Sequence, residues 1–255
     1  MAMLDRDLVR AINSGRCFAL IGSGPSCEIG LPSWQQLAIA AVDLAVKEKG
    51  EAFRHTANPF LQNKDYPRLF QLVEDALGIE TLAKWLHDIL IPPTNKRSRI
   101  YDTIATWPFA CYLTTNFDTC LLTALRDHKV PFIEKLNQLS DLSLLRADAK
   151  DIIFKIHGDP STPNTLVLTS NQYAGFQTDP KYSYWREKIS ALLHMVDLVI
   201  IGYSAKDPDF TGQLERAKAV AAPDRPVFMF ASDLQPDEIL EYYQHYNIRI
   251  IPYDN

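Results

Sequence analysis

Cys17-Phe18-Ala19-Leu20-Ile21-Gly22-Ser23-Gly24-Pro25-Ser26 is the stretch on which the fold turns. A short apolar run closes on a glycine-rich turn, the pattern of a buried strand handing over to a helix. Six further short apolar runs follow: Phe109 to Leu113, Ile152 to Ile156, Leu166 to Leu168, Val196 to Ile201, Val227 to Phe230 and Ile248 to Ile251. Runs this short, apolar throughout rather than alternating, suit strands covered on both faces of a parallel sheet. Helix-like stretches lie between them, at Trp34 to Lys49, Leu69 to Leu77, Thr81 to Leu90, Phe117 to Arg126, Trp185 to Leu193, Phe210 to Val220 and Glu238 to Tyr246. Alternation of strand and helix predicts a doubly wound α/β, Rossmann-like fold. One interval breaks the rhythm. From about 34 to 106 the pattern is helical throughout, which predicts an all-helical insert after the first strand, within a single domain spanning 1–255.

Ligands in open parallel sheets bind outside the carboxyl ends of the strands. Gly22-Ser23-Gly24-Pro25-Ser26 follows the first run, and Thr114-Thr115-Asn116-Phe117-Asp118 follows the second. His157-Gly158-Asp159 follows Ile152 to Ile156, and Gly202-Tyr203-Ser204 follows Val196 to Ile201. Each piece alone has a plain structural reading. Asn116 could cap a helix, Asp118 could sit at the positive end of one, His157 could be a turn histidine, and Gly202 with Ser204 could be a tight strand exit. Gly22 and Gly24 would also let backbone amides approach a phosphate. The dinucleotide fingerprint is incomplete, because its third glycine position holds Cys27, and the lysine of a P-loop is missing. Four such exits in one chain point to one polar crevice.

Composition narrows the class. The chain has 255 residues, 47% hydrophobic and 22% charged, which is ordinary for a globular protein. Its 26 basic and 31 acidic residues sum to −5, which argues against a general nucleic-acid-binding surface. Lys96-Arg97-Ser98-Arg99 is the one dense basic stretch and reads as a solvated helix start. Cys17, Cys27, Cys111 and Cys120 form no C-x-x-C pair, so neither a zinc ribbon nor a disulfide framework is expected. Met1 to Arg10 lacks the apolar core of a signal peptide, and no run approaches the length of a membrane span. The expectation is a soluble, cytoplasmic protein that binds no metal, membrane or nucleic acid directly.

Taken together, the four exits resemble the sirtuin superfamily. Gly22-Ser23-Gly24-Pro25-Ser26 running on to Gly30-Leu31-Pro32-Ser33-Trp34 looks like its G-A-G-x-S…G-I-P loop, and Thr115-Asn116-Phe117-Asp118 like its T-Q-N-I-D segment. His157-Gly158 is similar to its histidine-glycine, and Gly202-Tyr203-Ser204 to its G-T-S segment. The zinc module of the protein-deacylating members is missing, and Ser33-Trp34-Gln35 stands where they carry D-F-R. In those departures the chain resembles the bacterial, antiphage-defence branch that hydrolyses NAD.

The resemblance implies NAD as substrate, with Asn116 and His157 catalytic. Asn116 would hold the ribose hydroxyls and orient a water, and His157 would act as general base, its ordinary pKa being about 6.5. Asp118 would engage the nicotinamide carboxamide, with Thr115 beside it. Gly22, Ser23, Gly24 and Ser26 would cradle the pyrophosphate, while Gly202 and Ser204 would line the adenosine side. Because nicotinamide leaves as a neutral molecule, no general acid is required. A non-enzymatic module sensing NAD or an ADP-ribose derivative, and an NAD-dependent deacylase, are the competing readings. A regulated NAD hydrolase would need self-assembly as a homo-oligomer, or a separate partner such as a nucleoside triphosphatase or a short Argonaute-type protein.

Overall fold

The apolar runs are strands because each is shielded on both sides, and this is visible in a computed structural model that describes residues 5–203, 225 and 227–253. Among these residues the strands are β1 (Phe18–Ile21), β2 (Cys111–Thr114), β3 (Ile133–Leu136), β4 (Ile152–Lys155), β5 (Leu198–Ile201), β6 (Val227–Ala231) and β7 (Ile248–Pro252). They form one sheet in the order β3-β4-β2-β1-β5-β6-β7, and every neighbouring pair is parallel. The helices are α1 (Arg6–Asn13), α2 (Gly24–Glu28), α3 (Trp34–Lys49), α4 (Ala52–Gln62), α5 (Tyr66–Leu77), α6 (Ile79–Ile89), α7 (Arg99–Thr106), α8 (Cys120–Asp127), α9 (Leu139–Leu142), α10 (Ser170–Thr178), α11 (Ser183–Met195) and α12 (Pro236–Tyr246).

Alternate residues of each strand feed two cores. On one face, Ala19, Ile21, Tyr112, Ile153 and Val199 pack against Leu8 and Ile12 of α1, Tyr101 and Ile104 of α7, and Leu121 and Leu125 of α8. On the other, Phe18, Leu113, Phe154, Ile200 and Met229 meet Leu142 of α9, Leu192 of α11 and Tyr242 of α12. Helices on both faces of a parallel sheet make the fold doubly wound, as the alternation predicts. Each such large side chain contributes roughly 1.5–3 kcal/mol when fully buried.

A third core belongs to α3, α4, α5 and α6. It joins Leu37, Ala41, Leu69, Phe70, Leu82 and Leu86 with Phe117, Leu166 and Leu168. Phe117 follows β2 and Leu166 lies in the loop after β4, so this helical layer is seated at the carboxyl ends of the strands. Ser33 starts α3 with a capping box, its hydroxyl accepting from the Gln36 amide while the Gln36 side chain accepts from the Ser33 amide. Ser98 caps α7 by accepting from the Tyr101 amide at 3.1 Å, so the basic stretch does open a helix. That helix packs on the sheet face rather than in the α3–α6 core.

Three local expectations need correction. Leu166 to Leu168 is buried but is not a sheet strand; Leu166 and Leu168 serve the α3–α6 core, and the Val167 amide donates to the carbonyl of His157. β3 was not visible as an apolar run because it is an edge strand whose residues are exposed or half-buried. The helix after β2 begins at Cys120, not at Phe117. The helix expected over Phe210 to Val220 lies outside the described residues.

Candidate active site

β4, β2, β1 and β5 are consecutive in the sheet, so the four polar exits lie side by side. Their last residues are also level, with Ile21 in register with Thr114 and Ile201, and Thr114 with Lys155. The β1 turn and the β5 exit are in direct contact. The Gly22 amide donates to the Ile201 carbonyl at 2.8 Å, and the Gly24 amide to the Gly202 carbonyl at 3.0 Å. Gly202 has φ +78°, and a Cβ there would lie 2.4 Å from Cδ of Pro25, so only glycine allows the approach. These amides are committed to the neighbouring strand exit, and Ser23 is the exposed side chain of the turn.

Asn116 does not cap α8; it stands three residues before the Thr119 cap and points back across the sheet. Its Nδ2 donates to the Gly22 carbonyl at 2.8 Å and to the Tyr101 hydroxyl at 3.3 Å, and its own amide donates to Thr114 Oγ1 at 3.0 Å. The amide nitrogen is thereby fixed, and among the described residues nothing donates to Oδ1. Tyr101 and Ser26 hydroxyls lie 2.8 Å apart, and Ser26 donates to Asp118 Oδ2 at 2.8 Å. With the Ser26 proton so placed, Tyr101 must donate to Ser26 while accepting from Asn116. The result is a one-way chain of donors from Asn116 through Tyr101 and Ser26 to the Asp118 carboxylate, each polarising the next. Burial raises the Tyr101 pKa well above its ordinary value, so the hydroxyl stays protonated and can donate. Asp118 Oδ1 accepts from the Cys120 amide at 2.8 Å, which anchors the start of α8.

His157 is 8% exposed, and burial lowers its pKa from 6.5 to about 4. The ring is therefore neutral at physiological pH. The ring stands nearly perpendicular to that of Tyr173 of α10, at 5.4 Å between centroids, and Phe117 lies 6.4 Å away in a tilted arrangement. Among the described residues neither ring nitrogen has a hydrogen-bond partner, which is costly for a buried polar group unless a ligand or water completes it. Gly158, at φ +79°, lets the chain turn beside Thr165, whose carbonyl would sit 2.1 Å from a Cβ. Buried Asn137 clamps this loop by donating to the carbonyls of Ile156 and Thr165, both at 2.8 Å.

Thr115 is joined to Tyr203 by a 2.7 Å hydroxyl–hydroxyl hydrogen bond, linking the β2 and β5 exits. Ser204 lies outside the described residues. The structure thus brings together Gly22, Ser23, Gly24, Ser26, Thr115, Asn116, Asp118, His157 and Gly202 at the carboxyl ends of the four central strands. Sequence reading missed Tyr101, Asn137, Lys155, Tyr173 and the hydroxyl of Tyr203. Only Tyr203 and Lys155 lie close to a motif. Among the described residues no group of three or more His, Cys, Asp or Glu is arranged to hold a metal ion, and no helix is long and apolar enough to cross a membrane.

The family model for a SIR2-like domain matches residues 110–251, more than half of the chain. The chain is 26% identical over 226 residues to a protein named NAD(+) hydrolase ThsA from Cytobacillus dafuensis, covering 87% of this chain and 42% of that protein. A protein of the same name from Enterococcus faecium is 25% identical over 204 residues, covering 78% and 39%. The one from Bacillus cereus (strain MSX-D12) is 22% identical over 244 residues, covering 92% and 47%. The chain spans less than half the length of these curated relatives.

Proposed function

The chain belongs to the SIR2-like family, and from that premise we propose that it hydrolyses NAD+ to nicotinamide and ADP-ribose. The observation that carries this reading is the pairing of an anchored Asn116 with a buried His157, where among the described residues nothing donates to Asn116 Oδ1 and neither ring nitrogen of His157 has a hydrogen-bond partner. Names given to the relatives, all NAD(+) hydrolases, support the same chemistry.

In this reaction the bond between nicotinamide nitrogen and ribose C1′ breaks, and its electron pair neutralises the pyridinium. The leaving group needs no proton. Water adds to C1′ and gives up a proton. Asn116 Oδ1 accepts from that water or from a ribose hydroxyl, holding it in line, and a neutral His157 nitrogen receives the proton. Asp118, polarised by the Tyr101–Ser26 chain, engages the nicotinamide carboxamide. The Gly22–Ser26 turn, through its exposed Ser23, would face the pyrophosphate, with Thr115 beside Asp118 and Gly202 on the adenosine side; Ser204, assigned to that side from the sequence, lies outside the described residues.

Unchecked loss of cytoplasmic NAD would kill the host cell, so the same reading makes the chain a regulated effector of antiphage defence. Its restraint would come from self-assembly or from a separate partner, such as a nucleoside triphosphatase or a short Argonaute-type protein. The test is nicotinamide release from NAD+ by the purified chain, with Asn116→Ala alongside. Release that disappears in the variant is expected. NAD binding without release, in the chain alone and with its partner, would favour the non-enzymatic sensing module instead.

A further inference from the structure

Lys155 is the last residue of β4 and is 1% exposed, a lysine in a strand whose other residues, Ile152, Ile153 and Phe154, are apolar. Its Nζ donates to the carbonyl of Phe117 at 2.9 Å and of Asp118 at 3.3 Å, and it is ion-paired with Asp159. Burial, the largest single influence, opposes ionisation of Asp159, but the Lys155 ammonium and the hydrogen bonds from Ser161 together hold the carboxyl below its ordinary value. Glu134 of β3 also feels this ammonium, with burial raising its pKa and Lys155 acting against the rise.

A buried ion pair is an expensive way to stabilise a strand end. Hydrophobic replacements for such pairs are often neutral or stabilising, so folding energy alone does not account for it. Its placement does. The turn after β2 carries Thr115, Asn116 and Asp118, and its other side-chain hydrogen bonds run to Gly22 after β1, to β2, α2, α7 and α8, and to Tyr203. Lys155 supplies the hydrogen bonds from the β4 side, two residues before His157. One ammonium therefore couples the strand that presents His157 to the turn that presents Asn116.

We infer that Lys155, with Asp159 as its counter-ion, is a positioning residue that fixes the Asn116–Asp118 turn relative to His157. The consequence for turnover rests on the proposed NAD hydrolysis; the consequence for the turn itself does not. The experiment uses the double variant Lys155→Met/Asp159→Asn, which removes both charges of the pair so that neither partner is left as a buried lone ion, together with Lys155→Met alone. Amide hydrogen exchange at Asn116 and Cys120, whose amides are held by side chains of the turn's own framework, reads the turn directly.

The double variant should keep its Tm within about 3 °C of the parent. Exchange at Asn116 and Cys120 should speed up by at least about tenfold, with Leu20 of β1 and Leu113 of β2 unchanged. Nicotinamide release should fall at least about tenfold in kcat with KM within about threefold. Unchanged exchange at the two turn amides would overturn the inference, as would a uniform rise across turn and strands, which marks a purely structural pair. Should the double variant not fold, the single variant is read by the same exchange ratio. If the parent releases no nicotinamide either alone or with its partner, the hydrolase reading fails, and the exchange ratio alone still decides the role of Lys155.

Discussion

Asn116 and Gly22, on turns after different strands, are joined by a 2.8 Å hydrogen bond from the side-chain amide to the backbone carbonyl. The bond orients the amide, nitrogen toward the Gly22 carbonyl, while among the described residues nothing donates to its oxygen. Asn116→Ala removes both the anchor and the acceptor, and should lower kcat by at least about 100-fold. Two half-buried hydrogen bonds are lost, costing about 1 kcal/mol each, so the fold survives. Asn116→Asp is the sharper test. It preserves shape but turns a carboxylate oxygen toward the Gly22 carbonyl, so activity should fall as far as in the alanine variant. Near-parental turnover in Asn116→Asp would show that the anchored orientation is irrelevant.

Tyr101→Phe removes one oxygen from the middle of the donor chain. Asn116 loses one of its two Nδ2 acceptors, and Ser26 loses the donor that strengthens its bond to Asp118. A stability loss of roughly 1–3 kcal/mol is expected for unpairing buried groups, measured by denaturant titration. Because Asp118 faces the proposed nicotinamide end, KM for NAD+ should rise along with a drop in kcat. A variant that is destabilised but kinetically normal would make Tyr101 a packing residue only.

The central strands were legible because they are buried on both faces and so read as unbroken apolar runs. β3 was not, since an exposed edge places no such demand on its residues. Leu166 to Leu168 misled for the complementary reason: a run this apolar satisfies a helical layer as well as a sheet. The strand exits carried Asn116, Asp118 and His157 because glycine and small polar residues follow each run closely. Tyr101 was beyond reach. Its partner Ser26 lies 75 positions away, and no local pattern on α7 separates a core tyrosine from the hub of a polar chain.

His157 sets two pH limits that can be separated. Its pKa, pushed down to about 4 by burial, means the neutral base is present above pH 4. The acid limb of kcat/KM should therefore fall near 4 rather than near the ordinary value of about 6.5. Stability follows the same group. The unfolded chain takes up the proton at about 6.5 and the folded chain only near 4, so stability is full above the upper value and declines as pH falls between them. The loss should reach about 3 kcal/mol, and His157→Gln should remove that slope from a series of denaturant titrations. An acid limb near 6.5 in the parent would mean that the ring is hydrated when substrate binds.

Gly158 and Gly175 make a matched pair. At Gly158 the backbone has φ +79°, and a methyl group would meet the Thr165 carbonyl at 2.1 Å, a rigid atom held by Asn137. Relief requires moving the loop that carries His157. Gly158→Ala should cost more than about 2 kcal/mol and abolish nicotinamide release even in the fraction that folds. Gly175 lies within α10, and a Cβ there meets nothing within 4 Å among the described residues. Gly175→Ala should add about 0.5–1 kcal/mol through helix propensity, with turnover unchanged. Thermal unfolding and nicotinamide release on both variants check the pair. An active, stable Gly158→Ala would show that the loop after β4 can relax, and that the placement of His157 does not depend on the turn beside it.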